Sequence, residues 1–241
     1  MRFQEPDGKP IAFFMNYACH NTVMILNACG KDGKAGISAD MGGNVSKEME
    51  RFYEGSVAMW SSGAAGDLNP VMSNQVYRED FRTGKPVEIY EKNGAIPLSM
   101  LHTLVAHLFA DVKHTVRKIR DYSGECEFSS DIRWAKTPGL DENGEYKVLV
   151  HKLRIGDVIL MGFGGELYSA LGKELQEGIG REHMILINHD ASLLYNSGYI
   201  YSDEVFELEE KYESNIVGMN HTWMKSGCIT EALLKCMREM L

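Results

Sequence analysis

Four apolar runs in this 241-residue sequence end in polar or ionisable side chains. His20 follows Ile11–Ala18, Asp67 and Asn69 follow Val57–Ser61, Glu166 follows Val158–Met161, and the stretch Asn188–Tyr199 follows Met184–Ile187. Sheet proteins assemble sites at strand ends, because the strand is rigid and the loop after it can approach a ligand. A histidine, a glutamate and a phenol meeting there would suit Zn²⁺, which takes nitrogen and oxygen ligands and keeps a position open for water. Spacing alone does not bring them together, and each has a plainer reading. His20 alone reads as a hydrogen-bonded structural histidine, Glu166 as a carboxylate at a helix start, Asp40 as a helix N-cap, and Tyr199 and Tyr212 as half-buried aromatics. Cys19 beside His20 raises a thiol hydrolase, but neighbours along a strand point to opposite faces. The loop GAAGD offers close backbone approach and N–H groups, yet no lysine follows to hold phosphate, so a nucleotide site is not expected. His189 reads as a solvated loop histidine that could supply a nitrogen. His102, His107 and His114 share one predicted helix without an i, i+4 pair and read as surface or core residues.

The elements that must position these groups follow from periodicity and turn chemistry. Residues 11–18 and Val57–Ser61 read as buried strands, Asp40–Phe52 as a helix entered through Met41-Gly42-Gly43, and Leu98–Arg120 as an amphipathic helix. Residues 73–97 are polar and turn-rich, as an excursion or lid would be. Gly124–Arg133 alternates weakly as a half-exposed strand, and Tyr146–Ile155 and Val158–Met161 form a hairpin across Gly156-Asp157. Leu167–Glu177 is a predicted helix, Met184–Ile187 a buried strand, and Ile229–Leu241 a terminal amphipathic helix. This order predicts a single α/β domain over residues 1–241, a mixed β-sheet flanked by helices. The turn Pro6-Asp7-Gly8, leading straight into a central strand, resembles the middle of a domain more than its start.

Composition narrows the function classes. Hydrophobic residues make up 44% and charged residues 24%, which excludes a disordered chain. A formal charge of −9 argues against a nucleic-acid partner, and no apolar run approaches the length of a transmembrane span. Five cysteines without framework spacing give no reason to invoke disulfides and mildly favour a reducing, cytoplasmic compartment. The 14 methionines read as adaptable core filling, with an apolar acyl pocket as the alternative.

The segments DGKPIAFFMNYACHNTVM, GISADMGGNVSKEME, WSSGAAGDLNPV, GDVILMGFGGELYSALGKEL and GYIYSDEVFELEEKYE, in that order, resemble the catalytic domain of the neutral/alkaline (non-lysosomal) ceramidase family and its bacterial relatives. The resemblance implies a zinc-dependent hydrolase of an N-acyl amide bond, with a small-molecule or lipid-like amide as substrate. It assigns His20, Glu166 and Tyr199 to the metal, and Tyr212 to the oxyanion of the tetrahedral intermediate. Asp40 and Asp67 fall at the rim, as carboxylates that orient His20 or accept a proton, and Gly66 and Asn69 fall where substrate is bound. Asn69 departs from the serine that ceramidases carry there, so no acyl-serine route is expected. The family's second zinc-binding histidine belongs to an N-terminal segment, and its immunoglobulin-like domain follows the catalytic one; neither has a counterpart here. Strands of such a segment would cover a sheet edge, so an exposed edge and a homodimer are expected. The alternative is a degenerate relative, serving as a binding module or as a subunit completed by a separate N-terminal half.

Overall fold

The computed structural model describes residues 1–24, 37–72, 76–89, 95–139, 144–190, 197–212 and 227–241. The chain folds as two compact units. The first comprises Met1–Met15, His20–Trp60 and Asn69–Tyr122; the second comprises Asn16–Cys19, Ser61–Leu68 and Ser123–Leu241.

In the first unit, β1 (Arg2–Gln4) and β2 (Pro10–Tyr17) pair antiparallel, Arg2 opposite Phe13. The turn between them is the predicted one: Gly8 takes a φ of +89° and the Asp7 carboxylate accepts the Lys9 N–H at 2.9 Å. The helix α1 (Asp40–Phe52) buries Met41, Val45 and Met49, one residue per turn along a single face. It is followed by β3 (Val57–Ser62), which completes a sheet of order β1-β2-β3. The segment predicted as an excursion contains an antiparallel hairpin, β4 (Val76–Asp80) and β5 (Lys85–Ile89); residues 73–75 and 90–94 of it lie outside the described residues. The helix α2 (Ala95–Lys118) buries Leu101, Leu104 and Val105 and leaves His102, His107 and His114 exposed. Phe52 of α1 meets Phe109 of α2 edge-on, ring centroids 5.8 Å apart.

The second unit is built on β6 (Phe128–Pro138), β7 (Glu145–Ile155) and β8 (Val158–Phe163), all antiparallel. Ile155 faces Val158 across the Gly156-Asp157 turn, where Gly156 has a φ of +59°. After β8 come β9 (Glu166–Leu167), α3 (Ser169–Ile179) and β10 (Met184–Ile187), and β10 lies parallel to β8. The sheet order is therefore β10-β8-β7-β6, a mixed sheet as predicted. A two-residue strand β11 (Tyr199–Ile200), the helix α4 (Asp203–Tyr212) and the helix α5 (Ile229–Met240) complete the unit. Val148, Val150, Met161 and Phe163 of the sheet form one core with Leu171 and Leu175 of α3 and Leu233, Met237 and Met240 of α5. Methionine thus serves as core filling here, as it does at Met41 and Met49 of the first unit.

Candidate functional site

The run Gly162-Phe163-Gly164-Gly165-Glu166 ends β8 and delivers a carboxylate into a web of backbone hydrogen bonds. Glu166 N–H donates to Gly198 O at 2.9 Å and Tyr168 N–H to Ile200 O at 3.0 Å, so β9 pairs parallel with β11 and Tyr199 stands opposite Glu166. Gly165 has no room for a side chain, because a Cβ there would lie 2.6 Å from Gly198 O. The Tyr199 phenol is hydrogen-bonded to the Glu166 carboxylate. Burial first, then the charge of Glu166, raises the Tyr199 pKa above its ordinary value, so the phenol remains a protonated donor at neutral pH. Glu166 and Tyr199, expected from the resemblance to share a metal, are brought together.

Three more tyrosine and phenylalanine rings support this pair. Tyr168 packs edge-on against Tyr201 at 4.5 Å and against Tyr199 at 6.0 Å, while Tyr199 and Tyr201 stack at 6.4 Å. Tyr201, fully buried, also meets Phe206 of α4. Burial and the neighbouring Tyr201 push the Tyr168 pKa well above the usual phenol range. Nothing in the local sequence marks Tyr168 and Tyr201, which directly follow Leu167 and Ile200, as residues of a site.

The loop after β10 closes over the same strand. Asn188 is buried; its amide oxygen accepts the Leu167 N–H at 3.1 Å and its own N–H donates to Ser62 O at 3.0 Å. His189 N–H donates to Gly165 O at 3.0 Å, which carries the His189 Nε2 to 3.8 Å from a Glu166 carboxylate oxygen. His189 is the solvated loop histidine that the sequence suggests, and it lies beside the candidate site. Asp190 pairs with His151 Nδ1 of β7 at 3.0 Å, a contact with no sequence signal. Within the same unit, the Asn16 amide donates to Ser61 Oγ and to Leu186 O, both at 3.0 Å.

Gly66 and Asp67 serve the backbone of this site. Gly66 N–H donates to Leu167 O at 2.8 Å, and a Cβ at Gly66 would lie 2.6 Å from the Tyr168 ring and 2.9 Å from Glu166 O. Asp67 accepts both the Ser169 N–H and the Ser169 hydroxyl at 2.7 Å, which caps α3 from 102 residues away. The helix-start carboxylate of α3 is thus Asp67, whereas Glu166 lies on β9; α3 begins at Ser169 and not at Leu167 because Glu166–Leu167 pairs with β11.

In the first unit, Asp40 opens α1 with a φ of +44° and is buried. Its carboxylate accepts the N–H groups of Val23 at 3.2 Å, Met24 at 2.8 Å and Met41 at 2.7 Å. The Asn21 amide oxygen accepts Gly42 N–H at 2.9 Å, so the loop that follows His20 is tied to the start of α1 at both ends. Gly42 is required there, since a Cβ would lie 2.6 Å from the Trp60 ring. His20 is half-buried and Asn69 exposed. Tyr212 closes α4, and its side chain lies outside the described residues.

A three-ligand zinc site asks for a third donor beside Glu166 and Tyr199. Among the described residues no three His, Cys, Asp or Glu side chains are grouped to hold a metal ion. The donors that do gather are a carboxylate, a phenol and the His189 imidazole, whose chemistry suits a zinc ion once the phenol counts as one of the three.

No protein-family model and no curated protein matches the sequence. Solved structures do match. The neutral ceramidase from Pseudomonas aeruginosa superposes with a TM-score of 0.62 at 14% identity, over 98% of this chain and 44% of that one. A ceramidase complexed with C2 gives a TM-score of 0.65 at 14% identity, over 98% of this chain and 45% of that one. This chain spans less than half the length of either structure and has a ceramidase-like fold.

Proposed function

We propose that this protein is a ceramidase-like hydrolase of an N-acyl amide bond in a small or lipid-like substrate. The observation that carries the reading is the Glu166–Tyr199 pair, held in register by β9 and β11 within a ceramidase-like fold. In this reading His20, Glu166 and Tyr199 hold zinc, which when bound supplies Lewis acidity toward a carbonyl and toward water. The chain's own residues do the rest. Tyr199 and Glu166 orient one another through their hydrogen bond. Tyr212 donates to the developing oxyanion, a contact whose loss typically costs roughly 10²–10³ in rate. Asn69, exposed, binds the substrate through its amide, and the Gly66 loop before it is anchored by the Gly66 N–H on Leu167 O. Asp40 and Asp67 act as positioning residues, one fixing the loop behind His20 and the other the helix behind Glu166.

The test is metal content together with turnover on a panel of N-acyl amides, starting with a short-chain ceramide. Expected are about one zinc per chain after dialysis and hydrolysis that Glu166→Gln abolishes. No retained zinc and no cleavage of any amide refutes the reading. A second reading, a binding module without catalysis, is favoured by one observation: Asp40 and Asp67 already accept backbone N–H groups, leaving neither placed as a proton acceptor. Tight amide binding without turnover supports it.

A further inference from the structure

We propose that His189 is a nitrogen ligand of the cation site, joining Glu166 and Tyr199 in a carboxylate–imidazole–phenol set contained in one compact unit. The inference rests on the zinc reading above, with His189 in place of His20 as the nitrogen donor, and names a ligand that the family resemblance does not assign. Its first support is distance. His189 Nε2 lies 3.8 Å from Glu166 Oε2. Two ligands held about 2.0–2.1 Å from one tetrahedral zinc lie roughly 3.3 Å apart, so a shift of about half an ångström closes the gap.

The second support is the backbone. His189 has a φ of +63°, and among the described residues Asp40 is the other non-glycine residue with a positive φ. Such a conformation costs of order 1–3 kcal/mol and persists where the surroundings over-determine it. They do so here. The N–H groups of Asn188, His189 and Asp190 donate to Ser62 O, Gly165 O and Phe163 O at 3.0, 3.0 and 2.9 Å. Asn188 grips Leu167 from one side, and the Asp190 carboxylate is held by His151 from the other. Asp190 lies so close over Gly162 that a Cβ there would fall 2.1 Å from its carboxylate. All of these constraints fix the residue whose imidazole lies beside Glu166. The imidazole side chain is 54% exposed and the Glu166 side chain 19%, which leaves an approach for a cation and a substrate from solvent. A surface ion pair between a histidine and a glutamate would need none of this bracing.

The experiment measures zinc affinity of the full chain by competition with a chelating dye, with Co²⁺ absorption as a second readout of ligand type. His189→Gly removes the donor and suits the left-handed backbone, and His189→Asn tolerates it as well, so both variants keep the fold. Expected is a loss of zinc affinity beyond the roughly 10–100-fold that removing an outer-shell partner costs, with a Co²⁺ spectrum altered in intensity. If both variants bind zinc within about threefold of wild type while Glu166→Gln loses it, His189 is not a ligand and the zinc reading stands. If the wild-type chain binds no zinc, both fall.

Discussion

Asn188→Ala probes the single side chain that locks the loop after β10 to the strand carrying Glu166. Asn188 and Leu167 are both buried, and the amide oxygen accepts the Leu167 N–H at 3.1 Å while its Nδ2 donates to Leu167 O at 3.4 Å. Leu167 O keeps the Gly66 N–H at 2.8 Å after truncation, but the Leu167 N–H is left in a dry site. An orphaned buried donor costs about 1–3 kcal/mol, and the deleted amide adds about 1 kcal/mol of lost packing. The sum, about 2–4 kcal/mol, corresponds to a Tm lower by roughly 5–15 °C for a chain of this size. Differential scanning calorimetry reads it. Asn188→Asp separates the acceptor from the donor: it keeps an oxygen toward Leu167 N–H but turns a second oxygen toward Leu167 O. Burial and that oxygen contact disfavour the ionised form, so the folded pKa of Asp at this position rises above the unfolded value of about 3.9. A raised pKa gives stability below the unfolded pKa that is lost as pH climbs through the folded one. The Asp variant therefore approaches wild type near about pH 4 and falls behind it toward about pH 7. A wild-type Tm for Asn188→Ala, or an Asp variant parallel to wild type across that range, refutes the bridge as the lock on β9.

Four further outcomes follow from the same geometry. Gly66→Ala forces a Cβ against Glu166 O and the Tyr168 ring, and is expected to cost about 1–3 kcal/mol in thermal unfolding; an unchanged Tm would show that the loop has room. Asp67→Ala removes the cap of α3 and is expected to cost about 1–2 kcal/mol in urea unfolding, with no cost meaning that Ser169 caps itself. Burial pushes the Cys236 thiol up to about 11, so iodoacetamide near pH 8 labels exposed Cys126 and spares Cys236. The stability linked to that neutral thiol is full below the unfolded pKa of about 8.5 and lost as pH rises toward the folded value; equal labelling of the two cysteines near pH 8 would contradict the burial. Finally, β6 is the outer strand of its sheet among the described residues, and Phe128, Ile132 and Trp134 are exposed on one of its faces. A homodimer that Ile132→Lys returns to monomer is the expected result in light scattering, and a strict monomer for wild type would remove this edge as a self-association surface.

Much of the scaffold was legible because its signals are local. The helix at Asp40–Phe52 and the strand at Met184–Ile187 have the predicted bounds, since a helical apolar stripe and a short branched run carry their own period. The Gly156-Asp157 turn fixed the β7–β8 register without help from elsewhere. The short strands β9 and β11 were illegible, because two residues have no period and their pairing is visible only once Gly165 approaches Gly198. Asp40 and Asp67 were recognisable as notable carboxylates, yet their partners lie 16 and 17 residues away in one case and 102 in the other.

By itself the sequence determined the α/β class, the mixed sheet and the strand-end placement of Glu166, and it offered Glu166 and Tyr199, together with His20, as candidate ligands. Tertiary structure alone decided that these two stand opposite each other, that Asp67 rather than Glu166 caps α3, and that His189 reaches the pair. Periodicity records which face of an element is buried, and that is a property of neighbours along the chain. Convergence of side chains depends on hydrogen bonds to the backbone between segments apart in sequence, at Asn188–Leu167, Gly66–Leu167 and His189–Gly165, and those form only when the chain has folded.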